Sequence, residues 1–200
     1  MAQYDPQTAL VVVDVQNDFA DPGGSLYVHG GEKVVPVVNR EIDRARQAGA
    51  TVVYTQDWHP ESTPHFEKDG GIWPVHCVQG TWGAEFHPEL QVESEAEVVR
   101  KGSGGEDGYS GFTVRDPSSG EEQPTRLEQI LHDEGVRRVV VVGLATDYCV
   151  KETAIDAAAK GFGTAVLLEA VRAVDLEPGD GQRALEDVQR AGAAIASASP

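Results

Sequence analysis

Cysteine is nearly absent from this sequence: only Cys77 and Cys149 occur in 200 residues. Two thiols so far apart, in a chain without an export signal, argue against a disulfide framework, so each is weighed for its own chemistry. Basic residues are scarce too, with 16 Lys and Arg against 33 Asp and Glu and a formal net charge of -17. Nothing resembles the basic stripe that neutralises phosphates, which argues against a nucleic-acid partner. No apolar run approaches the roughly 18 residues that cross a bilayer. The opening Met-Ala-Gln-Tyr-Asp-Pro lacks the basic and apolar regions of a signal peptide. The expectation is a cytoplasmic protein with a small-molecule substrate and no membrane partner. Assembly into a homo-oligomer is left open, as is any link between the acidity and salt.

With 40% apolar residues, a chain of this length buries most of its surface in one core, so a single domain over residues 1–200 is expected. Ala9 to Val13, Thr51 to Thr55 and Arg138 to Val142 are β-branched apolar runs that read as buried strands. Weaker strand candidates are Glu97 to Lys101, Gly163 to Leu168 and Ala193 to Ser197. Between them lie helical patterns at Glu32–Ala48, Arg126–Glu134, Tyr148–Lys160 and Gly181–Ala191. Each is closed by a glycine, at Gly49, Gly135, Gly161 and Gly192. Alternating strands and helices predict a three-layer α/β/α sandwich with a mostly parallel sheet of about six strands.

The stretch from Gln56 to Leu90 breaks this rhythm. It holds Trp58, Trp73 and Trp82 with Pro60, Pro64, Pro74 and Pro88, and has no clear periodicity. Long loops of this kind are usually functional or disordered, and its aromatics favour order and function. Asp116 to Gln123, rich in Pro, Ser, Gly and Glu, reads as an exposed connection.

In open parallel sheets, ligands bind beyond the carboxyl ends of the strands. Asp14 follows the first strand, Asp57 and His59 the second, Lys101 closes the third, and Ala145 to Cys149 follow the next central one. A carboxylate, an imidazole, an ammonium and a thiol thus gather at one edge. Cys149 sits where a strand turns into an alanine-rich helix, with Thr146 or Asp147 available as N-cap. A thiol in a first helical turn feels the positive end of the dipole, which is expected to lower its pKa. Asp14 would exchange protons with that thiol and with a leaving amine, and Lys101 would balance the negative charge. Taken singly, each has an ordinary role: buried small hydrophobe, turn former, surface lysine. Together they form a candidate site.

A second constellation is Asp57-Trp-His59, followed by His65 and His76. Residues i and i+2 of an extended backbone point to the same side, so Asp57 and His59 can grip one ion while later histidines fold back onto it. One carboxylate with two or three imidazoles suits a divalent ion, zinc, iron or manganese. Cys77 is expected to be buried rather than a ligand. The glycine-rich run from Lys101 to Gly108 fails as a phosphate loop, because its lysine precedes the glycines and Glu106 and Asp107 repel phosphate. It reads instead as a flexible flap bringing Tyr109-Ser-Gly-Phe112 over the site.

Asp14-Val-Gln-Asn-Asp-Phe19, Asp57-Trp-His59, Trp73-Pro-Val-His76-Cys, Lys101-Gly, Tyr109-Ser-Gly-Phe and Gly143-Leu-Ala-Thr-Asp-Tyr-Cys149-Val together resemble the nicotinamidase/pyrazinamidase branch of the isochorismatase-like cysteine hydrolases, over nearly the whole chain. The resemblance implies an Asp14, Lys101, Cys149 triad. It implies a metal held by Asp57, His59 and His76, with His65 as a frequent further ligand, and a ring pocket lined by Phe19, Trp73 and Tyr109. It implies a cis peptide at Ala145–Thr146 and an oxyanion hole formed by the amides of Ala145 and Cys149. Trp58 and Trp82 are assigned to core packing. Hydrolysis of nicotinamide through a Cys149 thioester is the implied activity. The rivals are another small-amide hydrolase of the same fold and a non-catalytic metal or redox sensor, in which Asp14 and Lys101 have no task.

Overall fold

The computed structural model describes residues 3–198. Eight strands and five helices follow one another as β1 (Thr8–Val13), α1 (Asn17–Ala20), α2 (Val35–Gln47), β2 (Thr51–Asp57), β3 (Glu97–Lys101), β4 (Thr113–Arg115), β5 (Glu122–Pro124), α3 (Leu127–Asp133), β6 (Arg138–Leu144), α4 (Lys151–Ala159), β7 (Gly163–Arg172), α5 (Asp180–Arg190) and β8 (Ala194–Ala196). Six strands form one sheet in the order β3-β2-β1-β6-β7-β8, every neighbouring pair parallel. β1 and β6 occupy the centre.

The alternation of side chains along β1 shows how two cores arise from one strand. Leu10 and Val12 pack with Val38, Ile42 and Ala45 of α2 on one face. Ala9, Val11 and Val13 pack on the other with Leu127 and Leu131 of α3, Ala154 and Ala157 of α4, and Val188 of α5. The result is the expected three-layer α/β/α sandwich.

All four glycines expected to close helices follow them in the left-handed region: Gly49, Gly135, Gly161 and Gly192 have φ of 72°, 68°, 89° and 95°. Two elements differ from expectation. The segment over residues 116–123 is not a bare connection, because β4 and β5 pair antiparallel across a turn around Asp116, whose carboxylate accepts the Ser118 and Ser119 amides. β7 continues to Arg172, past the expected Leu168, because its register against β6 shifts between Val141 and Gly143 and pairing then resumes. Gly143 has φ 112°, and a Cβ there would stand 2.0 Å from the Val13 carbonyl oxygen, so only glycine lets β6 approach β1 this closely.

Candidate active site at the carboxyl edge of the sheet

Asp14 leaves the end of β1 with φ 47°, an uncommon conformation outside glycine. Its carboxylate is fully buried. Thr55 of β2 donates to one oxygen at 2.6 Å, and Lys101 at the end of β3 donates to the other at 2.8 Å. The same ammonium lies 3.4 Å from the Cys149 sulfur and 2.9 Å from Asp57 Oδ1. One oxygen each of Asp14 and Asp57 and the Cys149 sulfur all fall within 4.8 Å of one another. The structure therefore brings the carboxylate, ammonium and thiol of the expected triad into contact.

Burial would strip the Lys101 proton, yet Asp14 and Asp57 outweigh it and hold this group well above the usual lysine range. The Asp14 carboxyl is pushed up by burial, against the pull of Lys101. Asp57 goes the other way. Burial opposes its ionisation, but Lys101 and the His59 side chain win and keep it well below the ordinary carboxylate range. Burial also raises the Cys149 thiol well above its ordinary value, more than Lys101 lowers it. This corrects the expectation of a thiol acidified by the helix dipole. Cys149 sits in a π-helical turn, Thr146–Val150, that is capped by Ala145 without a side-chain bond and runs directly into α4, and desolvation of the buried sulfur outweighs the pull of that helix start. Asp147 caps nothing here. Its carboxylate accepts the amides of Val174 and Asp175 and so pins the loop after β7.

The excursion over residues 56–90 is held by interleaved bonds. Trp58 donates to the Lys101 carbonyl, His59 to that of Cys77, and Gln79 to that of His59, at 2.9, 2.9 and 2.8 Å. These bonds gather His59, His65 and His76, all buried, with one ring nitrogen from each within 4.8 Å of the others. Asp57 Oδ2 lies 3.8 Å from His59 Nε2. The His76 and His65 Nδ1 atoms bond the Pro74 carbonyl at 2.7 Å and Asp107 at 2.8 Å, leaving each Nε2 free. Neither ring nitrogen of His59 has a hydrogen-bond partner. A buried imidazole with no partner among the described residues is costly, and one ring nitrogen from each of three histidines beside a carboxylate forms the donor set a divalent ion accepts. Burial lowers the His76 pKa to about 4, which keeps its lone pair available near neutral pH.

Comparison with protein-family models matches residues 8–199 to the Isochorismatase domain. The chain belongs to the isochorismatase family. Relatives within it include a nicotinamidase of Escherichia coli, 37% identical over 95% of this chain and 94% of that one. Among solved structures, the Pyrococcus horikoshii pyrazinamidase in complex with zinc is 41% identical with a TM-score of 0.85, covering 96% of this chain and 99% of that one. An L. infantum protein solved in complex with nicotinate is 36% identical with a TM-score of 0.87, covering 98% and 96%.

In this isochorismatase-family chain a cavity opens directly on Cys149, His65 and His76. Phe19, Trp73 and Tyr109 line it as expected, and Ala145 and Cys149, the expected oxyanion donors, stand on its wall. The Trp73 indole N–H donates to the Tyr109 hydroxyl at 3.0 Å. Tyr148 completes the aromatic wall, with its ring centroid 4.9 Å from that of Trp73 and 5.3 Å from that of Tyr109. The sequence reading passed over Tyr148, although an aromatic next to the thiol at a strand-to-helix turn was a usable signal. It also passed over Gln16, whose amide bonds both the backbone N–H and the C=O of Asp57 at 2.8 Å.

Three further expectations are corrected. The cis bond lies at Leu144–Ala145, one residue early, because β6 ends at Leu144 and Ala145 is already the cap of the turn. Trp58 packs against the core under the Arg100 guanidinium, but Trp82 is 50% exposed, since Gly83 and Ala84 are the buried members of its turn. The segment from Lys101 to Phe112 is no loose flap. Phe112 is fully buried, the Gly111 amide donates to Thr153 at 2.9 Å, and the Ser110 hydroxyl donates to Asp156 at 2.6 Å.

Proposed function

We propose that residues 1–200 form one isochorismatase-like hydrolase domain acting as a nicotinamidase, which hydrolyses nicotinamide, and pyrazinamide with it, to the carboxylic acid and ammonia. The observation that carries this reading is a buried thiol touching a Lys101 shared between two carboxylates, set beneath an aromatic cavity and beside three gathered imidazoles, of which His59 has no hydrogen-bond partner among the described residues. Its relatives' activities point the same way. The contacts made by Asp14 and Lys101 disfavour a sensor, which would have no use for a proton acceptor on the thiol.

In the proposed mechanism Asp14 takes the Cys149 proton and the thiolate attacks the amide carbonyl. Because one negative charge passes from carboxylate to sulfur, the charge facing Lys101 is conserved. That is why a thiol with a raised pKa can still react. The tetrahedral oxyanion rests on the amides of Ala145 and Cys149, each such donor contributing on the order of 3 kcal/mol. Asp14 returns the proton to the departing ammonia. Asp14 then accepts a proton from water as it cleaves the thioester, releasing the carboxylic acid and restoring the thiol. Asp57, His59, His65 and His76 would hold a divalent ion, zinc, iron or manganese, whose chemistry is Lewis-acid polarisation and anchoring of a ring nitrogen. Phe19, Trp73, Tyr109 and Tyr148 orient the ring and exclude water.

Assaying nicotinate and ammonia release by the purified protein, before and after chelation and metal restoration, tests this. Turnover of nicotinamide that falls on chelation and returns with the metal is expected. Equal turnover of aliphatic amides would move the assignment to a broader amidase.

A further inference from the structure

Asp107 stands outside every role given so far. We propose that it is a positioning residue for the metal centre, its carboxylate accepting the Nδ1–H of His65 and thereby directing the His65 Nε2 lone pair toward the ion. This rests on the reading of His65 as a ligand.

His65 needs such a partner more than its companions do. His59 is fixed by main-chain bonds on both sides, to Cys77 and Gln79, and the His76 ring is anchored on the Pro74 carbonyl two residues away. The His65 main chain has only two long contacts, its N–H donating to the Thr63 hydroxyl and its carbonyl accepting from the Trp73 N–H, both at 3.4 Å. Its ring is held by Asp107 Oδ1 at 2.8 Å, from a segment 42 residues away in sequence. Asp107 is itself rigidly placed. Its backbone N–H and C=O both pair with Arg115 at the turn end of the β4–β5 hairpin, at 2.7 and 2.6 Å. Its Oδ1 also accepts the Gly108 amide at 2.8 Å, and Oδ2 faces the Arg115 guanidinium at 3.4 Å. A carboxylate on the far nitrogen of a ligating imidazole selects the tautomer and raises ligand basicity, and losing it typically weakens metal affinity about 10–100-fold. Two residues on, Tyr109 bonds Trp73 in the cavity wall. Asp107 thus joins the ion site to the ring pocket through three consecutive residues.

The test is zinc affinity, measured by competition with a chromophoric chelator, together with thermal unfolding of the metal-free protein. Asp107→Ala is expected to weaken zinc binding roughly 10–100-fold, while the metal-free midpoint falls modestly for the lost Gly108 and Arg115 bonds and the protein stays folded at the assay temperature. Asp107→Asn, which keeps the acceptor and loses the charge, should fall between it and the parent. In a His65→Ala background, Asp107→Ala should weaken binding no further. If His65→Ala leaves zinc affinity unchanged, the ligand assignment is at fault. If His65→Ala weakens binding tenfold or more while both Asp107 variants bind normally, or if the Asp107→Ala loss persists in full without His65, the proposal is overturned and the ligand assignment stands.

Discussion

Asp57 and Lys101 meet at 2.9 Å, and through that one ion pair the histidine cluster and the thiol share an electrostatic centre. Lys101 Nζ touches Asp14, Asp57 and the Cys149 sulfur at once, while its side chain is 1% exposed. Removing a member of such a network leaves the others buried and uncompensated, so its parts cannot be altered independently.

Lys101→Met should therefore lose activity and destabilise the fold by about 3–5 kcal/mol, because two carboxylates remain buried without a cation. Urea unfolding measures the loss. Adding Asp14→Asn should recover part of the stability, since Asp57 still lacks its cation, and none of the turnover. A single variant as stable as the parent would contradict the network.

Cys149→Ala should reduce ammonia release from nicotinamide by at least about 10³-fold, the scale seen when a nucleophile is removed. The folded state should persist, since the lost atom is one sulfur on a cavity wall. Mass spectrometry after rapid mixing should show the acylated parent and no adduct on the variant.

The pH profile follows from the two raised pKa values. Asp14 acts as a carboxylate, and that form is lost as pH falls. A pKa raised by burial moves the loss upward, so the acid limb of kcat/KM should lie above the ordinary aspartate value of roughly 4. Burial raises the thiol as well, so it should rest in its protonated form at neutral pH. Alkylation of Cys149 by iodoacetamide should consequently be slow at neutral pH and rise about tenfold per pH unit across pH 7–9, whereas a thiol acidified by its helix would react fast and show no rise.

Gly102 has φ 74°, and a Cβ there would stand 2.5 Å from His59 Nδ1. Gly102→Ala should cost about 1–3 kcal/mol from backbone strain and also displace His59. Weaker metal retention on dialysis, with turnover restored by excess metal, is the expected outcome.

Much of this architecture was legible in the sequence because the central strands are uniformly apolar and each expected helix ends at a glycine that must adopt positive φ. The triad and the histidines were legible because polar groups interrupt those runs at equivalent strand ends. What escaped notice was polar support supplied from a distance. Thr55 reads as an ordinary β-branched strand residue, Gln16 as a turn residue, and Asp107 as one more acid in a glycine-rich stretch; only the folded chain shows which carboxylate or imidazole each one touches. The β4–β5 hairpin escaped because β5 is exposed along its whole length and carries no apolar alternation. The thiol's pKa was misjudged because a sequence displays the helix start but not the degree of desolvation.

The strand order β3-β2-β1-β6-β7-β8 also divides the centre by time of synthesis. Asp14 follows β1, the histidines follow β2 and Lys101 closes β3, three neighbouring strands that all leave the ribosome before β6. Cys149 arrives only after β6 has been translated and has slotted against the open side of β1. Every residue of the proposed cation cage thus precedes the nucleophile in the chain, and only the pairing of β6 with β1 brings the two together.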